Sequence, residues 1–297
     1  MGRVLIGVSS WSEPELVHSG FYPVEVKTAE ARLKYYASQF QVAEIDSSYH
    51  FFATQHNINL WLGNTPESFL FNLKAFSLFT QHPTPFSSFP KTIREKYAGQ
   101  IQTRDNVYLH HLSQAALEEL WAVFIRTVDI FQKAGKLGAV LFQFPPWFHP
   151  EPKNFDYISS CREKLARYRM AVEFRVSSWL ENHFSETVEF LREHKITLVC
   201  VDEPQGFKSS MPAVAEVTSP LAIIRFHGSN KENWEDKSAV LTEKYNYLYS
   251  ESELQEWIPR IRSMAERSEE LHIIFKNKHA DFPVRNAIQM KELLGLA

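Results

Sequence analysis

The chain has 297 residues, of which 44% are hydrophobic and 23% charged, a balance typical of a globular protein with a large core. That length accommodates either two domains of ordinary size or one large α/β barrel. The formal net charge of −3 argues against a generally basic protein that binds nucleic acid without specificity, although it leaves room for a local basic groove.

Two cysteines, Cys161 and Cys200, lie far apart and outside any C-x-x-C spacing. The sequence therefore predicts neither a zinc site built from cysteines nor a disulfide framework. The first residues lack the long apolar run that directs secretion, and no segment reaches membrane-spanning length. We accordingly expect a cytoplasmic location and no membrane partner.

Eight short apolar runs have the pattern of buried strands. The run from Leu137 to Phe144 (LGAVLFQF) is nearly continuous in hydrophobic residues, as is typical of strands that are covered on both faces in a parallel sheet. In chain order the runs are 4–8, 42–46, 68–75, 137–144, 170–174, 196–201, 221–226 and 271–275.

Segments with helical periodicity or capping residues separate most of these runs. Ser113 matches an N-cap ahead of a strongly amphipathic helix that extends to about Phe131. Ser250 and Glu253 match a capping box before another helix, in which Pro259 should introduce a kink or shift the start. Further helices are expected from about residue 28, around 57–62, over 155–168 and 184–194, and from near residue 283.

The long connection over residues 76–112 shows no clear periodicity and contains Pro83, Pro85 and Pro90. A connection of this length inside a compact domain is usually a functional lid or an inserted subdomain. No change in composition marks a second domain. We therefore predict a single (β/α)8 barrel of the TIM type over 1–297, with 76–112 as a lid or insertion. An open doubly wound sheet is the alternative, but no G-x-G-x-x-G or P-loop follows any strand.

Polar residues recur at the carboxyl ends of the predicted strands, which is where TIM barrels carry their active sites. Glu173 and Arg175 lie two positions apart and should therefore face the same side. Buried charges are costly unless they are paired or used, so the whole set indicates either a polar site or a salt-bridge network that caps the barrel. The set comprises Ser9, Glu44, Asp46, Lys74, Gln143, Glu173, Arg175, Asp202, Arg225, His227, Lys276 and Asn277.

The mixture of acids and cations in this set favours a polar or anionic substrate over a multi-metal hydrolase. Arg175 and Arg225 would hold a phosphate or carboxylate group, while a carboxylate and a lysine with shifted pKa values would exchange protons. A single divalent ion bound by Glu173, Asp202 and His227 is the alternative.

Several of these side chains have two interpretations. Lys74 lies on a strand rich in phenylalanine, where desolvation would suit it to base or Schiff-base chemistry, but an ion pair with Glu44 or Glu173 is the simpler interpretation. His227 would act as a general acid/base or a ligand, or be held by a backbone carbonyl. Trp11, Trp147 and Trp179 follow strands, where they would stack on a flat ligand or cover the core.

A series of motifs resembles the YecE-like family, also called domain of unknown function 72. The resemblance covers nearly the whole chain and implies a TIM-type barrel. It also implies a possible role in nucleic-acid processing, through the family's similarity to the endonuclease IV and xylose isomerase group. The matching motifs are GVSSW (7–11), FYP (21–23), EIDSSYH (44–50), LKAF (73–76), TQHP (80–83), QFPPWF (143–148), AVEFRVSSW (171–179), VDEP (201–204), RFHG (225–228) and NA (286–287).

The resemblance assigns no reaction, but His82 falls on a matching motif position and joins the site residues already named. One departure is at the end of the last strand, where relatives typically have Phe-Asn-Asn and this chain has Phe275-Lys276-Asn277, which adds a cation to the rim of the pocket. As catalytic residues we predict Glu44, Lys74, Glu173, Asp202 and His227. As substrate-binding residues we predict Ser9, Trp11, His82, Gln143, Arg175, Arg225, Lys276 and Asn277.

Three functions remain in competition. The first is an enzyme that acts by acid/base chemistry, as a hydrolase or lyase, on a small polar or anionic substrate such as a phosphorylated or sugar-like compound, without a built-in organic cofactor. The second is a nucleic-acid binder or metal-dependent phosphodiesterase like endonuclease IV, with a basic groove drawn from Lys91, Arg94, Lys96 and Arg104. The third is a binding protein that holds a small ligand without turnover.

Overall fold

Eight parallel strands close into a barrel in the computed structural model of the protein, which describes residues 1–101, 105–207, 209–232, 234–236 and 241–296. Each strand pairs with its neighbours in chain order, and the last pairs with the first. The TIM-type (β/α)8 barrel that the sequence predicts is therefore confirmed. The strands are β1 (Arg3–Val8), β2 (Val42–Ile45), β3 (Leu70–Lys74), β4 (Leu137–Gln143), β5 (Met170–Glu173), β6 (Thr197–Asp202), β7 (Leu221–Phe226) and β8 (Glu270–Phe275).

Helices occupy the connections between these strands, and two of them carry the caps that the sequence predicts. Ser113 accepts a hydrogen bond from the backbone N–H of Ala116. Ser250 and Glu253 form the reciprocal capping box, and because that helix begins directly after Ser250, Pro259 does not shift its start. The helices are α1 (Pro14–His18), α2 (Ala29–Gln39), α3 (Gln55–Gly63), α4 (Lys91–Ile101), α5 (Gln114–Lys133), α6 (Pro152–Lys164), α7 (Ser178–Glu181), α8 (Phe184–Glu193), α9 (Leu241–Lys244), α10 (Glu251–Arg267) and α11 (Phe282–Leu294). None of these described helices has the length and apolar character needed to cross a membrane.

The connection after β3 is more regular than its sequence indicates. It contains α4 and a two-residue antiparallel ladder between Thr84–Pro85 and Asn106–Val107. Among the side chains of α4 whose burial is described, those of residues 91–99, only Ile93 and Tyr97 are buried, which is too few apolar positions to produce a recognisable period. Phenylalanines of the same connection are fully or nearly buried in the main core, so this part of the predicted lid packs against the barrel: Phe76, Phe79 and Phe89.

The barrel interior is layered. Alternate residues of each strand point outward into the large core under the helices, and the others point inward. A small apolar cluster from four neighbouring strands fills the middle of the interior, with charged side chains above it at the carboxyl ends of the strands: Leu5, Val42, Leu70 and Ile274. The carboxyl-terminal opening, which we call the mouth, therefore rests on a packed floor.

The opposite end of the interior holds a buried polar chain. The imidazole of His272 lies 3.1 Å from Asn72 Oδ1 on one side and 3.0 Å from Glu270 Oε1 on the other. Arg169 Nη1 donates to the same Glu270 oxygen at 2.6 Å. Gly138 makes room for this chain, because a Cβ atom there would lie 2.4 Å from Asn72 Oδ1. These contacts pair most of the polar groups at the base of the barrel, although Asn72 Nδ2 has no hydrogen-bond partner among the described residues.

Candidate active site at the barrel mouth

The strand register brings polar side chains of neighbouring strands together at the mouth. Gln143 pairs in register with Glu173, and Val201 pairs with Arg225. Because alternate residues face the same side, Arg175 follows Glu173 into the mouth, and His227 follows Arg225. The contacts among these side chains agree with the convergence that the sequence predicts.

Six side chains at the mouth form a group of buried ion pairs, which we call the buried tier: Glu44, Glu173, Arg175, Glu203, Arg225 and His227. Glu173 is at its centre, with one carboxylate oxygen against Arg225 and the other against Arg175. Arg225 also donates from Nη2 to Glu44 Oε1 at 2.8 Å. Arg175 donates from Nη1 to Glu203 Oε2 at 2.8 Å.

The buried tier uses most of its own hydrogen-bonding capacity. His227 Nε2 lies 3.0 Å from Arg175 Nη2 and 3.4 Å from Glu173 Oε1. Four atoms of this tier have no hydrogen-bond partner within the described part of the chain: Glu44 Oε2, Glu173 Oε1, Arg175 Nε and Arg225 Nε. Glu173 Oε1 is nevertheless in ion-pair contact with Arg175. Both guanidinium groups therefore have their terminal nitrogens occupied by protein groups, and neither is arranged to hold a substrate anion as the sequence predicts.

Burial and pairing set the ionisation of this tier. Burial alone would raise the pKa of Glu173, but the charges of Arg175 and Arg225 outweigh it and hold that pKa well below its usual value. Burial raises the pKa of Glu203 to about 7, and the opposing charge of Arg175 does not fully offset it. Burial, followed by the charge of Arg175, lowers the pKa of His227 well below its usual value. Glu203 is thus a group in this tier that titrates near neutral pH.

A second group of charges lies closer to the solvent, and we call it the lysine tier: Asp46, Lys74, Lys276 and Lys278. Asp46 Oδ1 lies 3.5 Å from the Nζ atoms of both Lys74 and Lys276, and Oδ2 lies 2.9 Å from Lys278 Nζ. Lys74 also donates to Gln143 Oε1 at 3.3 Å, which in turn accepts from Arg225. Gln143 therefore connects the two tiers.

Aromatic side chains line one edge of the lysine tier. The Nζ atom of Lys74 lies 4.7 Å above the ring centroid of Tyr49, within cation–π distance. The ring of His82 lies 5.4 Å from that of Tyr49 and 5.8 Å from that of Trp147, and the Trp147 side chain is exposed. Burial, together with the charge of Lys74, lowers the pKa of His82 to about 4, so its imidazole is neutral at pH 7.

A cavity of about 500 Å³ opens beside the lysine tier. Its wall includes Asp46, Lys278 and Glu44 together with His50 and Trp11. This volume is within the range of small-molecule sites in proteins. Charged groups at the strand ends and a cavity of suitable size therefore adjoin each other.

Besides Gln143 and His82, four predicted site residues lie outside the two tiers. The carboxylate of Asp202 turns away from the mouth and accepts hydrogen bonds from Tyr249 OH at 2.6 Å and Trp257 Nε1 at 2.7 Å. Asn277 is fully buried and donates to Asn286 Oδ1 on α11 at 2.9 Å. The other two line cavities: Ser9 lines a separate small one of about 150 Å³, and Trp11 lines the 500 Å³ cavity.

The tryptophans that follow strands fall into two groups. Trp11 is 7% exposed and packs against Tyr36, Trp61 and Phe71, and Trp179 is completely buried, so these two cover the core. Trp147 is 55% exposed at the mouth and is available for contact with a ligand.

The sequence interpretation missed two charged residues of the mouth. Glu203 faces inward because Val201, two residues earlier, is level with Arg225. The alternation of side chains along β6 therefore places Glu203, rather than Asp202, in the mouth. The two residues are adjacent in the VDEP motif. Lys278 was not selected either, although it follows Lys276 by two positions and the same alternation indicates it.

Among the described residues, the side chains proposed for a metal site or a nucleic-acid groove do not come together as such a site. Glu173 and His227 are in contact, but Asp202 is turned away from both, and no cluster of three or more metal-ligating side chains occurs among the described residues. Of the proposed basic groove, Lys91 and Lys96 pair with glutamates, and Arg94 donates to a backbone carbonyl. Arg104 lies outside the described residues.

Fold and site together define a TIM-barrel protein whose mouth holds a buried network of ion pairs beside a cluster of three lysines. The chain belongs to the family described as protein of unknown function DUF72, whose model matches residues 5–297. This confirms the resemblance that its motifs carry.

Named relatives of the chain extend over nearly its full length. It is 30% identical over 302 residues to the UPF0759 protein YunF of Bacillus subtilis, covering 99% of this chain and 95% of that protein. A crystal structure of a DUF72 family protein from Enterococcus faecalis matches with a TM-score of 0.80 at 26% identity, covering 99% and 96% of the two chains. One from Thermotoga maritima matches with a TM-score of 0.75 at 30% identity, covering 99% of both. These likenesses establish fold and family and leave the reaction open.

Proposed function

We propose that the protein is an enzyme that binds a small anionic substrate, such as a phosphorylated or sugar-like compound, at the lysine tier and acts on it by acid/base chemistry. The observation that carries the proposal is the unequal charge of this tier. Three lysine side chains, Lys74, Lys276 and Lys278, converge on the single carboxylate of Asp46. A substrate anion would supply the negative charge that this group lacks.

Distances within the tier support the same interpretation. A charge-assisted hydrogen bond between an ammonium and a carboxylate usually measures about 2.7–2.9 Å. Lys278 reaches that distance, but Lys74 and Lys276 remain 3.5 Å from Asp46. The ammonium group of Lys74 therefore has donor capacity that a phosphate or carboxylate oxygen can use.

The anion-binding role moves from the arginines to the lysines in this proposal. The side chain of Arg225 is completely buried, and that of Arg175 is 9% exposed with both terminal nitrogens in ion pairs. We assign these two, with Glu44, Glu173 and His227, the task of positioning the strand ends.

Proton transfer requires groups that change ionisation near neutral pH or are held in an unusual state. Lys276 is the lysine of the tier with the weakest contact to an acceptor, and we assign it the role of proton acceptor. Glu203, whose pKa is about 7, controls the charge next to Arg175 and so gives the site a pH dependence in the neutral range. The roles of the buried carboxylates as catalytic residues stay predictions.

The binding half of this proposal can be tested by calorimetry with inorganic phosphate at low ionic strength. Lys74→Met keeps the length of the side chain and removes one charged donor. The loss of a hydrogen bond to a charged group is about 1.5–3 kcal/mol, which corresponds to roughly 10- to 150-fold weaker binding. The matched control is Lys153→Met, since Lys153 is 75% exposed and pairs with Glu151 on the surface. Equal phosphate affinity in both variants, or no binding to the wild type, would contradict the proposal.

The catalytic half needs a readout of turnover. Phosphorylated sugars that bind in the calorimeter should be incubated with the wild type and followed by phosphorus and proton NMR. New resonances with the wild type that are absent with Lys276→Met would support an enzyme. Tight binding with every ligand recovered unchanged would overturn the assignment of an enzyme and favour the binding protein.

A further inference from the structure

We infer that Lys276 Nζ attacks the carbonyl carbon of the substrate and forms an imine with it, which makes the substrate an anionic aldehyde or ketone. The inference rests on the proposed function, because it concerns the same site and narrows its substrate class. Its basis is the position of Lys276 within the lysine tier, at the end of β8 and next to the cavity wall.

The surroundings of Lys276 differ from those of Lys136, a buried lysine that lies outside the mouth. Lys276 is 6% exposed, and its Nζ has one acceptor within hydrogen-bond distance among the described residues, Asp46 Oδ1 at 3.5 Å. Lys136 is 5% exposed, yet its Nζ donates to Leu62 O and Thr65 O at 2.7 Å and to Thr65 Oγ1 at 2.9 Å. A buried ammonium normally has its donors satisfied, as in Lys136. Lys276 lacks that satisfaction, which is the arrangement expected for an uncharged amine.

The charges that face Lys276 act in the same direction. Burial is the main cause that lowers the pKa of Lys276 well below its usual value, followed by the charge of Arg225, with Lys74 and Lys278 adding to it. Asp46 is the opposing charge, and it is shared with the other two lysines. Burial acts on Lys278 too, but Asp46 and Glu13 raise its pKa above the usual value and keep it charged. The tier thus combines an amine whose protonated form is disfavoured with at least one permanent cation.

This combination is suited to covalent chemistry with a carbonyl group. An unprotonated lysine amine is a nucleophile, and a neighbouring cation is one of the ways in which proteins produce it. The nitrogen forms a bond to the carbonyl carbon, and the carbonyl oxygen becomes a hydroxyl group. The carbon–oxygen bond then breaks, and both protons of the original amine leave with the oxygen as water, so the step needs no oxidant or reductant. Lys278 and Lys74 would meanwhile hold the anionic group of the substrate.

We expect a ligand to approach the nitrogen from the adjoining cavity, whose wall includes Asp46 but not Lys276 itself. Asp46 and Lys278 line the 500 Å³ cavity, and Lys276 Nζ is 3.5 Å from Asp46. A small ligand that pairs with Lys278 in this cavity therefore lies next to the amine. The cation of Lys278 would bind any small anion, whereas the amine of Lys276 reacts only with an anion that also has a carbonyl group.

The inference can be tested by reductive trapping with two probes, each resolved by peptide mass spectrometry. Formaldehyde with cyanoborohydride reports which amines are unprotonated, because an ordinary lysine has only about one neutral amine in 2500 at pH 7. Dihydroxyacetone phosphate with borohydride, the second probe, also requires the anion site. At pH 7 we expect Lys276 to react with formaldehyde at least tenfold faster than the exposed Lys153, and to be the main site of the phosphate-bearing adduct.

Two variants separate this role from a structural one. Lys276→Met should lose the phosphate-bearing adduct entirely. Lys278→Met leaves Asp46 free to pair with Lys276, which should shift the midpoint of Lys276 labelling to higher pH and slow its labelling at pH 7 severalfold. An unchanged pH profile in Lys278→Met would contradict the electrostatic account, even if Lys276→Met failed to fold.

Each outcome has a definite meaning. If Lys276 reacts first with formaldehyde but not with dihydroxyacetone phosphate, the imine-forming role is wrong and the amine is a proton acceptor only. If neither probe selects Lys276, the inference is overturned, whereas the proposed function is tested separately by the binding of inorganic phosphate.

Discussion

Glu173 is the residue whose replacement should destabilise the mouth most strongly. It is completely buried, and its two carboxylate oxygens contact Arg225 and Arg175. Glu173→Gln keeps the shape of the side chain but leaves two buried guanidinium groups with one carboxylate partner each, Glu44 and Glu203. Breaking a buried ion pair by removal of one partner is worth about 3–5 kcal/mol. That is a large fraction of the roughly 5–15 kcal/mol by which a folded domain is stable.

The assay is urea unfolding at pH 7, with Glu151→Gln as the matched control. Glu151 is 50% exposed and pairs with Lys153, which is 75% exposed, so its loss should change the free energy of unfolding by only about 0–1 kcal/mol. We expect Glu173→Gln to unfold at a much lower urea concentration than the wild type, with little change in the slope. A loss below about 1 kcal/mol, like that of the control, would refute the interpretation of Glu173 as the centre of the buried tier.

The pH dependence provides a second check on the same variant. The pKa of Glu173 in the folded protein lies well below its usual value of about 4.3. A group of this kind contributes stability that is present above the unfolded pKa and is lost as pH falls through the folded pKa. The stability gap between wild type and Glu173→Gln should therefore be full at pH 7 and narrow only below about pH 4. A gap that closed between pH 7 and 5 would contradict the lowered pKa.

Three further predictions concern other parts of the structure. Burial raises the pKa of Glu203 to about 7, above its unfolded value of about 4.3, so its contribution to stability is full below about pH 4.3 and is lost as pH rises to about 7. Glu203→Gln should therefore reduce the fall in urea stability between about pH 4.3 and 7, and an unchanged fall would contradict the raised pKa. Gly138→Ala would place a Cβ 2.4 Å from Asn72 Oδ1 and should lower the free energy of unfolding by about 1–3 kcal/mol, whereas Gly63→Ala, with nothing within 4 Å, should not destabilise the protein. Asp202→Asn should weaken the hydrogen bonds from Tyr249 and Trp257 and lower the free energy of unfolding by about 1–3 kcal/mol. Its phosphate affinity in calorimetry should be unchanged, and a tenfold loss would show that Asp202 contributes to the site.

Much of the fold could be predicted because its signals are local. The apolar run of β4 and the capping residues Ser113 and Ser250 are each determined within a few residues of chain, and all were found where expected. Helix α4 was missed because only two apolar side chains are buried over residues 91–99, the part of the helix whose burial is described. A helix whose periodicity is this weak is stabilised mainly by the tertiary contacts that it makes.

The candidate site was less predictable because it depends on register and on competition between partners. The choice between Asp202 and Glu203 follows from the level of Val201 beside Arg225, which is fixed only when β6 and β7 pair. The arginines were expected to hold a substrate, but protein carboxylates already occupy them. Pairing across the barrel joins residues far apart in the chain, and the sequence contains no local signal for it.

The central claim is that the lysine tier is an anion site, and a crystal structure of the protein grown with inorganic phosphate tests it most directly. The account predicts a phosphate ion at the mouth with oxygen atoms within about 3 Å of Nζ of Lys74 and Lys278, beside the carboxylate of Asp46. A mouth without phosphate, in crystals where the ion is bound elsewhere on the surface, would contradict it.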